Sequence, residues 1–317
     1  MSSPSEPALP QREVLAPGKL VLCGAYAVLD GAAAIVVAVD RHARAGTKER
    51  APTRSPEFIA AFGEELAPVC DTSSMRENGK KLGLGSSAAA LVAALGADEA
   101  WRGGDLESGD VRSRIFSRAR EAHRAAQGGG SGVDIAASTY GGVLRYKLVG
   151  GKPWIASVDW PAQLAMEVFF SGESAKTSAL LASVAAFRNE NAGVAESVFA
   201  ELSDAANEAA ELFSTGSVRE ILSALGRFSD ALRALGEEAD APIFPLSFLR
   251  LDVAAREEGG LFFPSGAGGG DVGVFLGERP ASEKLIARAK ELGLLHVPMK
   301  IDPAGVRLKD SPDGATR

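Results

Sequence analysis

The alternation of apolar and polar positions predicts short strands in the first part of the chain. Residues 14–29 are predicted to form two strands joined by a turn at Pro17-Gly18. Residues 33–39 (AAIVVAV) are apolar and rich in β-branched side chains, which predicts a buried strand. Prolines interrupt residues 44–80, so we expect at least one strand or short helix there rather than a long element.

Helical periodicity begins directly after a glycine-rich turn. The turn at residues 83–87 (GLGSS) leads into AAALVAALGADEAW, and Ser86 or Ser87 is a suitable N-cap because its hydroxyl accepts a bond from a first-turn amide. A second helix is predicted over residues 111–127, and it ends at three glycines, as helices often do. A short helix and a strand (VLRYKLV) are predicted to follow it.

The chain changes in composition over residues 150–161. We place there the boundary between an N-terminal domain (13–158) and a C-terminal domain (159–317), and predict a disordered polar tail at residues 1–12. Strands and helices mixed in both halves indicate α+β or α/β architecture. The C-terminal half is predicted to contain a strand at 164–171, helices at 174–213, 217–236 and 245–258, a strand, glycine loop and strand over 261–276, a helix at 281–292 and a strand near 295–301.

Composition and charge exclude several classes of protein. The chain has 34 Lys and Arg against 41 Asp and Glu, and a net charge of −7 without a basic block disfavours binding to nucleic acid or to an anionic membrane. Its two cysteines cannot form a disulfide framework, which favours a reducing, cytoplasmic location. The N-terminus lacks the apolar core of a signal peptide, and no apolar run approaches the ~20 residues of a membrane span.

Glycine is in excess, with 36 of 317 residues against an average near ~7%. Many of these glycines fall in three loops, at residues 83–88, 128–134 and 264–271. The first loop opens a helix, where unpaired amides and the helix dipole suit a bound anion, and it is not a Walker A loop because GxxxxGK[ST] is absent. The second presents Asp134, which could accept a proton or orient a cation.

Each loop also has an ordinary structural interpretation. The first could be a turn with a capping serine, the second could carry Asp134 as the N-cap of the next helix, and the third could be a long hairpin loop. Taken singly, none of the three distinguishes these interpretations from ligand binding.

Together, in this order, the motifs resemble those of a known superfamily. The segments APGKLVLCGAYAVLDG (16–31), KLGLGSSAAALVAAL (81–95) and PSGAGGGDVGVFL (264–276) resemble the three signature motifs of the GHMP small-molecule kinases. Residues 71–90, 121–142 and 170–181 look most like the phosphomevalonate kinases of that superfamily. The chain departs from the pattern at Ala25, where mevalonate kinases usually show GEH and bacterial phosphomevalonate kinases often show GEY.

The resemblance implies an α+β fold of two domains, a ribosomal-protein-S5-like N-terminal domain and a ferredoxin-like C-terminal domain, with ATP and acceptor between them. It implies that Lys19 and Asp134 are catalytic, and that Ser87 ligates Mg²⁺ with an acidic partner near Glu121 or His123. The implied nucleotide-binding residues are Gly83, Leu84, Gly85, Ser86, Ser87 and Ala88. The implied acceptor-binding residues are Lys19, Tyr26, His123, Gln127, Ser131, Gly132, Ser174, Thr177, Gly266, Ala267, Gly268 and Gly269.

The activity implied is ATP-dependent phosphorylation of 5-phosphomevalonate to 5-diphosphomevalonate, with ATP and Mg²⁺ and with small molecules as the only partners of a monomer or homodimer. Two polyanions must then meet in an acidic protein, which requires local positive potential. Candidate cations beside the motifs are Lys80, Lys81, Arg124, Arg145, Lys147 and Lys176. The alternatives are a mevalonate kinase, another GHMP enzyme, or a ligand-binding regulator that has lost catalysis.

Overall fold

The computed structural model describes residues 12–52, 55–64, 66–174 and 177–309. The predicted tail lies outside the described residues except for Arg12, and so does Lys176. The described strands are β1 (Glu13–Cys23), β2 (Ala34–Pro52), β3 (Leu66–Asp71), β4 (Arg76–Glu77), β5 (Lys80–Lys81), β6 (Val143–Val149), β7 (Lys152–Val158), β8 (Ala165–Phe170), β9 (Leu261–Pro264), β10 (Val272–Gly277), β11 (Leu295–His296) and β12 (Arg307–Leu308). The described α-helices are α1 (Pro56–Phe62), α2 (Ser86–Trp101), α3 (Gly109–Gln127), α4 (Val133–Tyr140), α5 (Thr177–Glu190), α6 (Ala192–Thr215), α7 (Val218–Glu238), α8 (Leu246–Glu257) and α9 (Glu283–Glu291).

Two larger antiparallel sheets organise the described residues, and β4 and β5 form a separate two-stranded pair. The first has the order β12-β1-β2-β6-β7, and β3 pairs with the distal part of the long strand β2. The second has the order β11-β8-β10-β9. Helices α2 and α4 pack against β1 and β2, α6 packs against α7, and α8 packs against β9. This mixture of helices with antiparallel sheets confirms the predicted α+β class.

Most predicted elements are present, because their apolar periodicity is strong. The fully buried residues 34–39 form the first part of β2. Helix α2 is buried along nearly its whole length, as its run of Ala, Leu and Val predicts. None of the helices in the described ranges has an apolar stretch long enough to cross a bilayer.

The predicted turn at Pro17-Gly18 is wrong. Strand β1 continues through both residues, and its register with β2 shifts between them, which is a β-bulge. Close packing favours glycine at position 18, because a Cβ there would lie 3.0 Å from Cβ and 3.1 Å from the carbonyl oxygen of Leu84, as well as 2.8 Å from Cε of Met75. Pro17 pairs with His42 and Gly18 pairs with Val39, so the extra residues lie on β2 and β1 continues through Lys19 without an inserted residue.

Two further boundaries differ from the prediction. The long helix predicted over residues 174–213 is two helices, because α5 ends and α6 begins on either side of Asn191. The last predicted strand is shorter than expected: Leu295 and His296 pair with β8, and Ile301 makes an isolated bridge to Val39. The residues between them lie outside the named strands.

Candidate functional site

Lys19 lies at the point where β1 meets the first glycine loop. Its amide donates to the carbonyl of Leu84 at 3.0 Å, and its Nζ donates to the carbonyl of Gly83 at 3.0 Å. Gly85 has a φ of 73°, and a Cβ there would lie 3.3 Å from Cγ of Lys19, which is tighter than ordinary contact. The loop therefore uses glycine because the lysine side chain passes directly against its backbone.

Burial and two carboxylates act in opposite directions on the pKa of Lys19. Burial lowers the pKa of the Lys19 ammonium below its usual value, and the negative charges of Asp134 and Asp271 act in the opposite direction. Asp271 follows the third glycine loop at a φ of 53°, and a Cβ added to Gly83 would lie 2.4 Å from its side chain. Asp271 thus lies in the same site; it belongs to the third loop predicted from the sequence, where a binding role is predicted only for residues 266–269.

The first turn of α2 is open for an anion. Helix α2 begins at Ser86, and its N-cap is Gly85 in the left-handed conformation without a side-chain hydrogen bond. The predicted capping role of Ser86 or Ser87 is therefore wrong. Since Gly85 has no side chain to cap them, the first-turn amides are suited to phosphate oxygens.

Beside this turn, Ser86 and Ser87 line a cavity of about 210 Å³ together with Glu57 of α1. The other residues around it are Ser55, Phe58, Thr72, Arg76, Lys81 and Ala90. The 83–88 segment thus contributes its two hydroxyl groups to a cavity that also contains two cationic side chains and one carboxylate.

Asp134 is the second residue of α4, whose N-cap is Gly132, so Asp134 is not the cap. Its Oδ1 accepts from the amide of Ile135 at 2.9 Å, and its Oδ2 lies 3.8 Å from Nε2 of His123. His123 is buried, and its Nδ1 has no hydrogen-bond partner among the described residues. A buried ring nitrogen without a partner is costly, which makes it a ready contact for a polar ligand.

The third glycine loop is bonded to the first sheet. The amide of Val21 donates to Oγ of Ser265 at 2.9 Å, and the Tyr26 hydroxyl donates to the carbonyl of Ala267 at 2.7 Å. Gly268 and Gly269 instead pack on other elements: a Cβ on Gly268 would lie 2.3 Å from the carbonyl of Ile243, and one on Gly269 would lie 2.6 Å from Leu180. The loop is therefore a close-packed connection rather than a free hairpin loop.

The second and third loops border a cavity of about 400 Å³, which Lys19 also lines. The first loop instead lines the smaller cavity, through Ser86 and Ser87. Ten of the residues predicted to be catalytic or acceptor-binding line the larger cavity: Lys19, Tyr26, His123, Gln127, Ser131, Gly132, Asp134, Thr177, Gly266 and Ala267. Three others are not among its lining residues. Gly268 and Gly269 have the packing roles described above, and Ser174 donates from its Oγ to the carbonyl of Lys81 at 3.4 Å.

The two residues of α3 predicted to lie near the acidic partner of Ser87 differ in burial. Glu121 is exposed to solvent, whereas His123 is buried beside Asp134. A carboxylate that lines the same cavity as Ser87 is that of Glu57, whose Oε1 accepts from the Gln127 side chain at 3.4 Å. Its pKa is lowered: burial acts to raise it, but hydrogen bonds and the nearby His123 outweigh that effect.

The described cations that were predicted to supply positive charge at the acceptor do not line the larger cavity. None of the five described ones, Lys80, Lys81, Arg124, Arg145 and Lys147, lines the larger cavity, and Lys80 donates to the carbonyl of Gly172 at 2.5 Å. Arg188 of α5 lines it instead. Sequence reasoning missed Arg188 because it lies eleven residues beyond Thr177, outside every motif. Helical spacing from Thr177 is the signal that could have found it.

Known proteins resemble this chain in sequence and in fold. A model of the GHMP kinase N-terminal domain matches residues 72–142. A phosphomevalonate kinase from Streptomyces sp. (strain CL190) is 30% identical over 361 aligned positions, which cover 90% of this chain and 95% of that protein. A mevalonate kinase from Archaeoglobus fulgidus is 27% identical, covering 87% of this chain and 96% of that protein.

The fold is shared with a solved structure of Streptococcus pneumoniae phosphomevalonate kinase in complex with phosphomevalonate and AMPPNP. The TM-score is 0.73 at 19% identity, and the match covers 92% of this chain and 100% of that chain. Sequence identity across nearly the full length of a relative, together with the matched N-terminal domain, establishes the family. The chain belongs to the GHMP kinases.

Proposed function

We propose that this protein is a kinase of the mevalonate route that transfers the γ-phosphoryl group of ATP to 5-phosphomevalonate, yielding 5-diphosphomevalonate and ADP. The observation that carries the kinase assignment is the position of Lys19, which contacts the first glycine loop and lines a cavity shared with Asp134 and Gly266. The Streptomyces relative, a phosphomevalonate kinase, supports the choice of acceptor.

The chemistry of the acceptor agrees with the charges around the cavity. A phosphate monoester has a second pKa near ~6 and is largely ionised at neutral pH, so it needs little help from a base. The difficulty is the repulsion between two polyanions, which positive groups must offset. Lys19 and Arg188 bring positive charge to the cavity wall, against the single carboxylate of Asp134 among the described lining residues.

Individual groups then have distinct roles. The Lys19 ammonium stabilises charge on the transferring phosphoryl group, and Asp134 and Asp271 help to keep that ammonium protonated. The first-turn amides of α2 bind phosphate oxygens of ATP. Tyr26 ties the third loop to the residues after β1 through Ala267, which closes the wall near Lys19.

The residues present fit a magnesium ion. Mg²⁺ usually keeps several waters and takes only one or two protein oxygens beside substrate phosphates, so a closed cluster of ligands is not required. Consistent with this, the described residues hold no group of three or more acidic, histidine or cysteine side chains placed to bind a metal. Ser87 and Glu57, which line the same cavity, would hold the ion. When bound, Mg²⁺ supplies positive charge that neutralises the ATP phosphates.

The proposal is tested by measuring ADP release with phosphomevalonate, mevalonate and homoserine side by side. We expect turnover with phosphomevalonate and little with the two others. Turnover of mevalonate without phosphomevalonate would overturn the acceptor and favour the activity named for the Archaeoglobus relative. Nucleotide binding without turnover of any acceptor would instead support a non-catalytic regulator.

A further inference from the structure

Helix α5 presents one face to the larger cavity. The residues of this face that line the cavity are Thr177, Leu181, Val184, Ala185 and Arg188. Their spacing of four, three, one and three positions follows the helical repeat, so they form a single stripe. The stripe begins with a hydroxyl, continues with three apolar side chains and ends with a guanidinium.

Arg188 is held in place from two sides. Its Nη2 donates to Oδ2 of Asp30 at 2.9 Å, and its guanidinium lies 4.3 Å from the centre of the Phe199 ring, which also lines the cavity. Within the described ranges, Asp30 is the hydrogen-bond acceptor of this side chain and it engages only Nη2. A guanidinium has five donors in a planar fork, so Nε and Nη1 remain to bind a second anion.

The wall of the cavity suits a molecule that is anionic at both ends. Lys19 contacts the first glycine loop at Gly83 and lies near Gly266 of the third. Arg188 instead contacts Asp30, which directly follows the cavity-lining apolar residues Val28 and Leu29. If the reacting phosphate binds beside Lys19, the hydrocarbon centre of the acceptor meets apolar wall and its other end meets a cation. The inference rests on the proposed function, because that function supplies the phosphate at the Lys19 end.

We propose that Arg188 is a specificity-determining residue that binds the carboxylate end of the acceptor. Asp30 and Phe199 orient its guanidinium, and the free edge of the fork recognises the carboxylate. Selection between acceptors then depends on a side chain of α5, whereas phosphoryl transfer depends on the three loops.

Two substitutions test the proposal in the full chain. Arg188→Met keeps an unbranched, apolar side chain but removes all donors, and Arg188→Lys restores the charge without the fork. The matched control is Arg227→Met, because Arg227 is also an exposed helical arginine (49% against 48% for the Arg188 side chain), paired with Glu208 at 2.6 Å, but does not line the cavity. Thermal unfolding of each variant checks that it is folded.

Binding is measured by calorimetry with three probes: phosphomevalonate, mevalonate, which has the carboxylate alone, and isopentenyl phosphate, which has the phosphate alone. We expect Arg188→Met to weaken binding of both carboxylate-bearing probes by about 10- to 100-fold, the usual value of a hydrogen bond to a charged group. Binding of isopentenyl phosphate and the KM for ATP should stay unchanged, Arg188→Lys should recover part of the loss, and Arg227→Met should match the wild type.

Unchanged binding of phosphomevalonate by Arg188→Met would overturn the proposal. Equal losses for all three probes, or a loss only for isopentenyl phosphate, would also overturn it, since Arg188 would then act on the pocket as a whole or on the phosphate. These outcomes are separate from failure of the proposed function. A wild type that never turns over phosphomevalonate refutes the function, whereas the binding of mevalonate still tests Arg188.

Discussion

Lys19 shows how a site depends on neighbours that are distant in the chain. The residue is an ordinary strand lysine by type, but the carbonyl of Gly83 accepts from its ammonium and the charges of Asp134 and Asp271 oppose the effect of burial on its pKa. Because burial is the larger effect, the pKa is lowered overall. The Lys19 ammonium therefore loses its proton at a lower pH than the ammonium of an exposed lysine does.

At this scale we predict that Lys19→Met reduces kcat by about 100-fold or more, the usual effect of removing a group that stabilises transition-state charge. Asp134→Asn should reduce kcat by about 10-fold or less, since an ionised phosphate needs little base catalysis. Steady-state kinetics with phosphomevalonate compare the two.

Equal and nearly complete losses from the two substitutions would contradict this prediction and indicate an obligatory base. The pH profile of the wild type is a second measurement on the same group. We expect the alkaline decline of kcat/KM to begin below pH 10.5, the ordinary pKa of a lysine, because loss of the proton removes the positive charge.

The short helix α1 contributes more to the site than its length suggests. It lies in a stretch interrupted by prolines, begins with Ser55 as its N-cap and has seven residues, yet it brings Glu57 to the cavity that contains Ser87. On α3, by contrast, Glu121 and His123 are two positions apart and point to different sides, since each residue turns the helix by about 100°. The carboxylate expected on α3 therefore faces solvent.

We predict that Glu57→Gln weakens the Mg²⁺-dependent part of nucleotide binding by about 10-fold, within the range seen when groups that support a metal site are changed. Glu121→Gln, the matched control, should have no effect, because its side chain is exposed. Calorimetric titration of AMPPNP with and without Mg²⁺ measures this without turnover. Loss of Mg²⁺ dependence in Glu121→Gln but not in Glu57→Gln would reverse the assignment.

For the molecule as a whole, the end of the described chain returns to the first sheet and supports the strand that carries Lys19. Strand β12 pairs with β1 at Val14 and Leu15. Nearby, the buried carboxylate of Asp302 lies 2.5 Å from Nε2 of His42 and accepts from Arg307 at 3.0 Å. Hydrogen bonds and these two partners lower the pKa of Asp302 despite its burial.

This cluster predicts an acid-sensitive contribution to stability. A carboxyl group whose pKa is lower in the folded than in the unfolded protein stabilises the fold above its ordinary value of 3.8, and the contribution is lost as the pH falls through the lower folded pKa. We expect Asp302→Asn to lower the free energy of unfolding by ~3 kcal/mol at pH 7, since it removes one partner of a buried pair. The difference from the wild type should shrink below about pH 4.

Denaturant unfolding at several pH values measures this difference, with Asp159→Asn as a control at an exposed position. The control should unfold like the wild type at every pH. A constant difference between Asp302→Asn and the wild type down to pH 2 would mean that the charge of Asp302 does not contribute.

Much of the fold could be predicted because its signals are local. Helices α2 and α3 were predicted from the spacing of their apolar residues. The glycines after β9 predicted a loop between two strands. The failures occurred where packing overrode local preference. Pro17 and Gly18 do not break β1, because β2 contains the extra residues at the register shift and Leu84 packs closely against Gly18. Likewise, a glycine rather than a serine caps α2.

By itself, the sequence determined the class of chemistry: three glycine loops, a lysine and an aspartate in the order of a kinase family, because glycine conformations and short motifs are properties of neighbouring residues. Only the tertiary structure decided which charges share the cavity. Arg188 and its acceptor Asp30 are 158 positions apart in the sequence, and Lys19 and its acceptor Gly83 are 64 apart. A local sequence pattern therefore cannot show that these residues are partners. Electrostatic interaction depends on distance in space, and the fold alone sets that distance.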